Sequence, residues 1–220
     1  MPAPGFELLA ISERSALGGS FAGWAEWFAA LGQAGIGAVQ IREKDLDDRS
    51  LYGLARLARS ALPRGPRGTA VLVNGRLDIA LAAGADGAHL PSDGVPIAPL
   101  RRRFGPAVLL GRSTHGLEEV QRAADEGADY VTFGPVYPMP GKERYGEPPG
   151  LDGLREAAAL GIPVYALGGV TLERLREVAA AGAAGVAGIR MFQRASELPA
   201  LARIARETFG AYRRPGDRRP

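Results

Sequence analysis

The sequence predicts an α/β protein that folds as a single (β/α)8 TIM barrel. Short apolar runs rich in β-branched residues alternate with amphipathic segments rich in Ala, Leu and Arg along the 220 residues. Such alternation is typical of a parallel sheet covered by helices. Eight strand–helix units can be counted, and no Gly-x-Gly-x-x-Gly motif follows the first strand, so the closed barrel is favoured over the open, doubly wound sheet.

The predicted strands are short runs in which apolar and β-branched residues dominate. They are Phe6–Ile11, Gly37–Glu43, Thr69–Asn74, Ala88–Leu90, Val108–Ser113, Tyr130–Val136, Pro163–Leu167 and Gly185–Arg190. The predicted helices are Phe21–Ala34, Asp48–Ala61, Leu77–Ala83, Ala98–Phe104, Leu117–Glu126, Leu151–Leu160, Leu172–Ala181 and Glu197–Phe209. Glycines 84, 127 and 182 each follow a helix and allow the left-handed conformation after its last turn. These repeated endings fit successive units of one barrel.

The composition excludes several classes of protein. There is no cysteine, which rules out disulfides, thiolate metal sites and cysteine nucleophiles and fits a cytoplasmic protein. No apolar run approaches the ~20 residues needed to span a bilayer. The N-terminus has neither a basic start nor a long apolar region, so we predict no secretory signal and no membrane partner.

The net charge of +3 is concentrated at the C-terminus, where residues 213–220 hold four arginines and one aspartate. We therefore predict a barrel domain over residues 1–210 and a basic, disordered tail over residues 211–220. Because the remainder is neutral, the partner is predicted to be a small molecule rather than nucleic acid. A homodimer would have to use outer helices or loops, since a closed barrel has no free edge. Trp24 and Trp27 could serve such an interface, with core packing as the alternative.

Polar and cationic residues end the second predicted strand, in the segment Gln40-Ile41-Arg42-Glu43-Lys44. Side chains alternate along a strand, so Gln40, Arg42 and Lys44 are predicted to share one face. At the C-terminal end of a buried strand, this face is expected to line a cavity for an anionic or hydrogen-bonding ligand. In a (β/α)8 barrel the active site is built from the loops at these strand ends.

Further candidate residues follow the other strands. Asn74 and Ser113 end the third and fifth strands, and Lys142 lies in the long, Pro- and Gly-rich connection after the sixth. All three are predicted to bind substrate. His115, just beyond the fifth strand, is well placed for general acid–base catalysis, although it could instead cap the next helix. His89 lies inside an apolar stretch, and we interpret it as a hydrogen-bonded residue of the barrel interior.

Glycines after the last two strands predict a phosphate site. Gly168 and Gly169 follow the seventh strand, and Gly188 and Ile189 close the eighth. Backbone N–H groups at such positions can approach an anion closely, and barrel enzymes often bind phosphate here. A tight turn is the alternative explanation for Gly-Gly. No metal site is predicted, because Asp93 is the only carboxylate near the ends of the third and fourth strands.

The chain resembles the thiamine phosphate synthase / thiazole tautomerase (TenI) family over roughly residues 6–193. The resemblance is carried, in this order, by Gln40–Lys44, Val73–Leu90, Gly111–His115, Gly127–Pro138, Lys142, Ala166–Val170 and Ala181–Ile189. It implies a (β/α)8 barrel whose ligands carry thiazole phosphate or thiamine phosphate. The family contains a synthase, which couples hydroxymethylpyrimidine diphosphate to thiazole phosphate with magnesium. It also contains a tautomerase, which aromatises a thiazole phosphate carboxylate by moving a proton.

The chain departs from the synthase pattern where diphosphate and magnesium should bind. After the third strand the synthase has Asn-Asp, whereas this chain has Asn74-Gly75. After the fourth strand, Gly94 stands where the second metal aspartate falls, one position beyond Asp93. After the sixth strand only Lys142 remains of a Thr-x-Thr-Lys motif. A diphosphate leaving group needs magnesium or clustered donors, so the resemblance is closer to the TenI-like branch, with no cofactor.

The leading hypothesis is therefore a TenI-like thiazole tautomerase of thiamine biosynthesis. His115 would move the proton, and the glycines after the last two strands would bind the substrate phosphate. Arg42 and Lys44 would hold the carboxylate or stabilise negative charge as it develops. One alternative is a divergent thiamine phosphate synthase in which Asp93, Lys142 and magnesium handle the diphosphate. The other is a non-catalytic regulator that binds thiamine phosphate or thiazole phosphate.

Overall fold

The computed structural model describes residues 5–17, 21–65, 68–138 and 147–212. Within these ranges the parallel strands form a closed barrel in the order β1 to β8, with β8 paired back to β1. The strands are β1 (Leu8–Ile11), β2 (Ala38–Ile41), β3 (Ala70–Asn74), β4 (Gly87–Leu90), β5 (Leu109–Thr114), β6 (Tyr130–Phe133), β7 (Val164–Leu167) and β8 (Gly185–Gly188). The predicted (β/α)8 barrel is therefore confirmed.

Helices follow the strands and form the outer layer. They are α1 (Phe21–Ala34), α2 (Asp48–Ala61), α3 (Leu77–Ala82), α4 (Ile97–Phe104), α5 (Leu117–Asp125), α6 (Gly150–Ala159), α7 (Leu175–Ala180) and α8 (Leu198–Tyr212). α8 extends to Tyr212, past the predicted helix end at Phe209 and the predicted domain end at residue 210. Residues 213–220 of the predicted tail lie outside the described ranges. No helix within those ranges is long and apolar enough to cross a bilayer.

Each strand buries both faces, because its side chains alternate between the barrel interior and the helix layer. The interior contains a cluster of apolar and aromatic side chains, namely Phe6, Leu9, Ile11, Ala38, Leu72, Tyr130, Tyr165 and Ala187. Tyr130 and Tyr165 meet edge to face with ring centroids 5.3 Å apart, and Phe6 contacts both rings. The larger core lies between the strands and the helices. The polar inward-facing residues lie nearer the C-terminal end of the barrel.

The two tryptophans of α1 belong to the outer core. Trp24 and Trp27 are each only 5% exposed and pack against Phe28. The indole N–H of Trp27 donates to the backbone carbonyl of Phe192 at 2.7 Å, which satisfies its polar group inside the core. The core-packing alternative is thus confirmed for both residues.

Two arginine–aspartate pairs tie helices to the N-terminal end of the barrel. Arg59 of α2 donates to a carboxylate oxygen of Asp86 at 2.7 Å, and the same oxygen accepts from a backbone N–H of β3. Arg101 of α4 and Asp129 repeat this arrangement, with a backbone N–H of β5 as the second donor. Both aspartates belong to Gly-Ala-Asp segments that precede a strand. The repeated helix endings in the sequence therefore correspond to repeated structural units.

Three strands end earlier than predicted: β2 at Ile41, β6 at Phe133 and β8 at Gly188. In β2 the backbone N–H of Arg42 donates to the hydroxyl of Ser12 at 2.8 Å and not to a neighbouring strand. Lys44 consequently lies in an exposed turn. The prediction that strand alternation places Lys44 on the face of Gln40 is wrong, because the strand has already ended.

Candidate active site at the C-terminal end of the barrel

His89 of β4 lies at the centre of a buried polar network just below the mouth of the barrel. Its ring nitrogens lie 3.0 Å from the hydroxyl of Tyr130 and 3.0 Å from the hydroxyl of Ser113. The hydroxyl of Thr132 lies 3.4 Å from the same nitrogen as Ser113. The interpretation of His89 as a hydrogen-bonded interior residue is confirmed.

The surroundings of His89 keep its imidazole neutral. Burial, together with the nearby cations of Arg112 and Arg42, lowers the pKa of His89 from 6.5 to about 3. A group that stays neutral down to that pH cannot exchange protons efficiently near neutrality. His89 therefore orients its neighbours, including the predicted substrate-binding residue Ser113.

His115 is held differently, at the exposed rim beyond β5. Its Nδ1 lies 2.6 Å from the backbone carbonyl of Gly134, which follows β6. A carbonyl oxygen can only accept, so Nδ1 carries the hydrogen and Nε2 of the neutral ring keeps its lone pair. The backbone N–H of His115 also donates to the carboxylate of Glu119 at 2.6 Å. The side chain is exposed; Gly134 orients its ring, and Glu119 holds its backbone.

The segment after β2 is fixed by a buried carboxylate. Glu43 is 8% exposed and accepts from the hydroxyl of Ser12 at 2.5 Å and from the backbone N–H of Arg14 at 3.1 Å. Burial raises the pKa of Glu43, although these hydrogen bonds oppose the shift. Ser12 in turn accepts from the backbone of Arg42. The backbone at Arg42 is thereby connected to the end of β1, while Gln40 remains buried within β2.

Arg112 is a buried residue of the site that the sequence reasoning missed. Its guanidinium donates to the backbone carbonyls of Pro91, Gly94 and Val95 at 2.8, 3.2 and 2.6 Å. Burial lowers the pKa of Arg112, and the carboxylate of Glu126 lies 3.7 Å away. The side chain holds the loop after β4 against the barrel. An arginine in the middle of a buried strand was the available signal, because such a charge must find partners.

The predicted phosphate-binding residues lie together at the ends of two neighbouring strands. Leu167 pairs with Ala187, so the residues that follow them, Gly168 and Gly188, emerge side by side. Gly168 and Gly169 have φ values of 91° and 70°, a region that strongly favours glycine. All the predicted phosphate-binding glycines, with Ile189, are partly exposed, and a 3-10 turn follows Ile189 at Arg190–Phe192.

The carboxylates in the described part of the rim are not gathered into one cluster. Asp93 is exposed on the loop after β4, beside Gly94. The carboxylates of Asp48 and Asp78, on either side of β3, are both paired with Arg76. Across the described ranges, no group of three or more His, Asp or Glu side chains is arranged to hold a metal ion. Magnesium needs only one or two protein carboxylates when substrate phosphate oxygens complete its coordination, so the predicted absence of a metal stays a prediction.

The structure brings several predicted site residues to one end of the barrel and leaves others apart. Three of them lie at or near the C-terminal ends of their strands: Gln40 on β2, Asn74 on β3 and Ser113 on β5. Asn74 pairs with His89 of the neighbouring strand β4. Lys44, by contrast, lies in an exposed turn after β2. Lys142 and most of its connection lie outside the described residues.

Comparison with known proteins agrees with this architecture. A family model described as thiamine monophosphate synthase matches residues 8–192. The "Putative thiamine-phosphate synthase" of Geobacter sulfurreducens is 50% identical over 154 residues, which cover 70% of this chain and 71% of that protein. The thiamine-phosphate synthase of Anaeromyxobacter dehalogenans is 41% identical over 186 residues, covering 84% of this chain and 82% of that protein.

A solved structure, thiamine phosphate pyrophosphorylase from Pyrococcus furiosus, superimposes with a TM-score of 0.80 at 28% identity and covers 94% of this chain and 98% of that chain. The predicted role in thiamine biosynthesis is confirmed at this level. These relatives carry the name of the synthase and not of the tautomerase, so their names favour the alternative hypothesis over the leading one. The chain belongs to the thiamine monophosphate synthase family and is an enzyme of thiamine biosynthesis.

Proposed function

We propose that this enzyme acts on thiazole phosphate and catalyses the proton transfer of a TenI-like thiazole tautomerase. The observation that carries the proposal is the 2.6 Å hydrogen bond between Nδ1 of His115 and the carbonyl of Gly134. It leaves Nε2 as a base at the rim of the barrel. Tautomerisation needs one group that takes a proton and returns it, together with an anchor for the phosphate.

In this mechanism the phosphate of the substrate accepts hydrogen bonds from backbone N–H groups at Gly168, Gly169, Gly188 and Ile189. Nε2 of His115 removes a proton from the non-aromatic ring, and the imidazolium then delivers a proton to a second position of the same ring. The ring becomes aromatic and the molecular formula is unchanged. Throughout, the bond from Nδ1–H to Gly134 keeps the imidazole in one orientation.

The remaining polar residues would bind the rest of the substrate. Arg42 would pair with the carboxylate and stabilise negative charge as it develops. Gln40, Asn74 and Ser113 would donate or accept hydrogen bonds at the mouth, with Ser113 oriented by neutral His89. Lys44 and Lys142 would add positive charge for the substrate.

The test is to incubate the purified protein with the thiazole phosphate carboxylate tautomer and to follow aromatisation by ultraviolet absorbance. Wild-type protein should accelerate the reaction and His115→Ala should not. Arg155→Ala, which alters an exposed ion pair with Asp152 on α6, is the matched control and should behave as wild type. A wild-type rate equal to that of His115→Ala, or to buffer alone, would contradict the proposal.

A divergent thiamine phosphate synthase is the second candidate, and the names of the relatives favour it. Asp93 and Lys142 would then handle the diphosphate with magnesium. The same preparation should be assayed for magnesium-dependent formation of thiamine phosphate from hydroxymethylpyrimidine diphosphate and thiazole phosphate. Coupling without tautomerisation would establish this candidate. Tight binding of thiazole phosphate without either reaction would indicate a binding protein instead.

A further inference from the structure

The Gly168–Gly169 turn is supported by three side chains from other parts of the chain, which we call the Tyr137 cluster: Tyr137, Arg174 and Glu177. The guanidinium of Arg174 donates to the carbonyl of Gly169 at 2.7 Å. Its central carbon lies 4.1 Å from the centroid of the Tyr137 ring. The hydroxyl of Tyr137 donates to the carboxylate of Glu177 at 2.6 Å. The cluster therefore connects the segment after β6, the turn after β7 and α7.

Backbone hydrogen bonds also join the segment after β6 to the end of β7. The N–H groups of Val136 and Tyr137 donate to the carbonyls of Leu167 and Gly168 at 2.9 and 3.2 Å. The segment after β6 thus runs alongside the end of β7. The contact is close, because a Cβ atom added to Gly169 would lie 2.6 Å from Cβ of Tyr137. Such a distance leaves the turn little freedom to move toward Tyr137.

These bonds determine where the N–H groups of the turn point. In a trans peptide the carbonyl of one residue and the N–H of the next point in opposite directions. The carbonyl of Gly168 is held by the backbone of Tyr137, and that of Gly169 by Arg174. The N–H groups of Gly169 and Val170 must then point away from these two partners. A hydrogen bond from a cation to the carbonyl also polarises the peptide and strengthens its N–H as a donor.

We propose that Arg174, stacked on Tyr137, is a positioning residue that aims the N–H groups of Gly169 and Val170 at the phosphate of the substrate. Arg174 thereby makes the enzyme specific for phosphorylated over dephosphorylated thiazoles. The inference rests on the proposed phosphate site. It does not depend on whether the reaction is proton transfer or coupling, because both would use the same phosphate anchor.

The experiment compares two changes that should interact: removal of the Arg174 side chain and removal of the phosphate from the ligand. Dissociation constants for thiazole phosphate, the thiazole alcohol and inorganic phosphate are measured by calorimetry with wild type and Arg174→Met. The variant should bind thiazole phosphate and inorganic phosphate about tenfold more weakly, the loss typical of a charge-assisted hydrogen bond. Its affinity for the alcohol should stay within about twofold of wild type.

Three further variants separate positioning from a general structural role. Arg174→Lys keeps a cation but not the planar stacking, so it should recover part of the phosphate affinity. Tyr137→Phe keeps the ring beneath Arg174 and should change the affinity less than about threefold. Arg155→Met, on the exposed face of α6, should change nothing. Thermal unfolding of every variant shows that each is folded.

Two results would overturn the inference. In the first, Arg174→Met weakens phosphorylated and dephosphorylated ligands equally, which assigns Arg174 a purely structural role. In the second, wild type does not bind inorganic phosphate or thiazole phosphate at all, which removes the phosphate site itself. If neither catalytic assay shows turnover but the phosphate affinities differ as expected, the proposed reaction fails and the inference stands.

Discussion

Arg101 and His115 lie at opposite ends of the barrel, and their partners differ in kind. At the N-terminal end, the guanidinium of Arg101 donates to the carbonyls of Gly105, Gly127 and Val108 and to the carboxylate of Asp129. At the C-terminal end, one ring nitrogen of His115 is bound to a carbonyl and the side chain is exposed. The first arrangement neutralises a charge and closes the structure, whereas the second leaves an atom available for chemistry.

This difference follows the general division of labour in (β/α)8 barrels, where one end provides stability and the other carries the site. Whether a polar side chain is paired inside the protein or exposed at the site thus depends on the end of the barrel at which it lies. Substitutions at one end, with both stability and activity measured, test this division.

The largest effect is expected for His115→Ala. If His115 transfers the proton, kcat/KM for the thiazole tautomer should fall about 10²–10⁴-fold, the usual contribution of a general acid–base group. The free energy of unfolding should change by less than about 0.5 kcal/mol, because the side chain is exposed. Kinetics and denaturant unfolding on the same preparation check both statements. A loss of stability with nearly normal kinetics would place His115 among the structural residues.

Arg101→Met should lower the stability and leave the activity unchanged. It leaves the Asp129 carboxylate buried without its cation, and breaking such a pair typically costs about 3–5 kcal/mol in the free energy of unfolding. KM and kcat per folded molecule should be unchanged, since the site is at the other end. Arg102→Met, the adjacent exposed arginine of α4, is the control and should unfold as wild type. Equal unfolding curves for the two variants would contradict the assigned role of Arg101.

The buried imidazole of His89, just below the mouth of the barrel, predicts that stability depends on pH. Its pKa is about 3 in the folded protein, below the ordinary histidine value of 6.5, because burial disfavours the charged form. The unfolded chain therefore binds a proton that the folded chain does not. This contribution to stability is complete above pH 6.5 and is lost as the pH falls toward 3, at up to about 1.4 kcal/mol per pH unit.

The measurement for His89 is denaturant unfolding between pH 7 and pH 4, for wild type and His89→Gln. The variant lacks the titrating ring, so the stability difference between the two proteins should shift in favour of the variant as the pH falls. Comparing two proteins cancels the titration of the surface carboxylates and of Glu43, whose raised pKa acts in the opposite direction. Parallel pH profiles for the two proteins would show that His89 is not held neutral by folding.

The smallest effect is expected for Arg59→Met, the counterpart of Arg101 two units earlier in the barrel. Nε of Arg101 donates to the carbonyl of Gly127, but Nε of Arg59 is buried without a partner among the described residues. Asp86 is also 40% exposed, against 6% for Asp129, so water can solvate it when Arg59 is removed. We expect a loss of about 1–3 kcal/mol, measured beside Arg56→Met as control. A loss exceeding that of Arg101→Met would reverse this ranking of the pairs.

Periodicity along the chain predicted the barrel, all eight strands and the helices that follow them, with differences at their ends. The boundaries of β2 shifted because Arg42 bonds to Ser12, which is 30 residues earlier in the chain. No local pattern contains that partner. The same reason explains the misplacement of Lys44. The sequence allowed Trp24 and Trp27 to lie either at an interface or in the core. They lie in the core, because α1 packs against the residues after β8.

The candidate site divides in a similar way. His115 and the glycines after β7 and β8 could be identified from their positions at strand ends, because the closure of a barrel brings those ends together whatever the loops do. Arg112 was recognisable only as an arginine within a buried strand, and its partners are carbonyls 17 to 21 residues away. The Tyr137 cluster could not be identified, since Tyr137 meets Arg174 and Glu177 only after folding.

By itself the sequence determined the number of strand–helix units, the closed parallel sheet and the candidate residues at its C-terminal end. These follow from the alternation of apolar segments and from the position of each polar residue within its unit. Folding alone places His89 in an enclosed network that keeps it neutral, and His115 at the exposed rim with Nδ1 bonded to the carbonyl of Gly134. Hydrogen bonding and desolvation depend on atoms that are distant in the chain and adjacent only after folding.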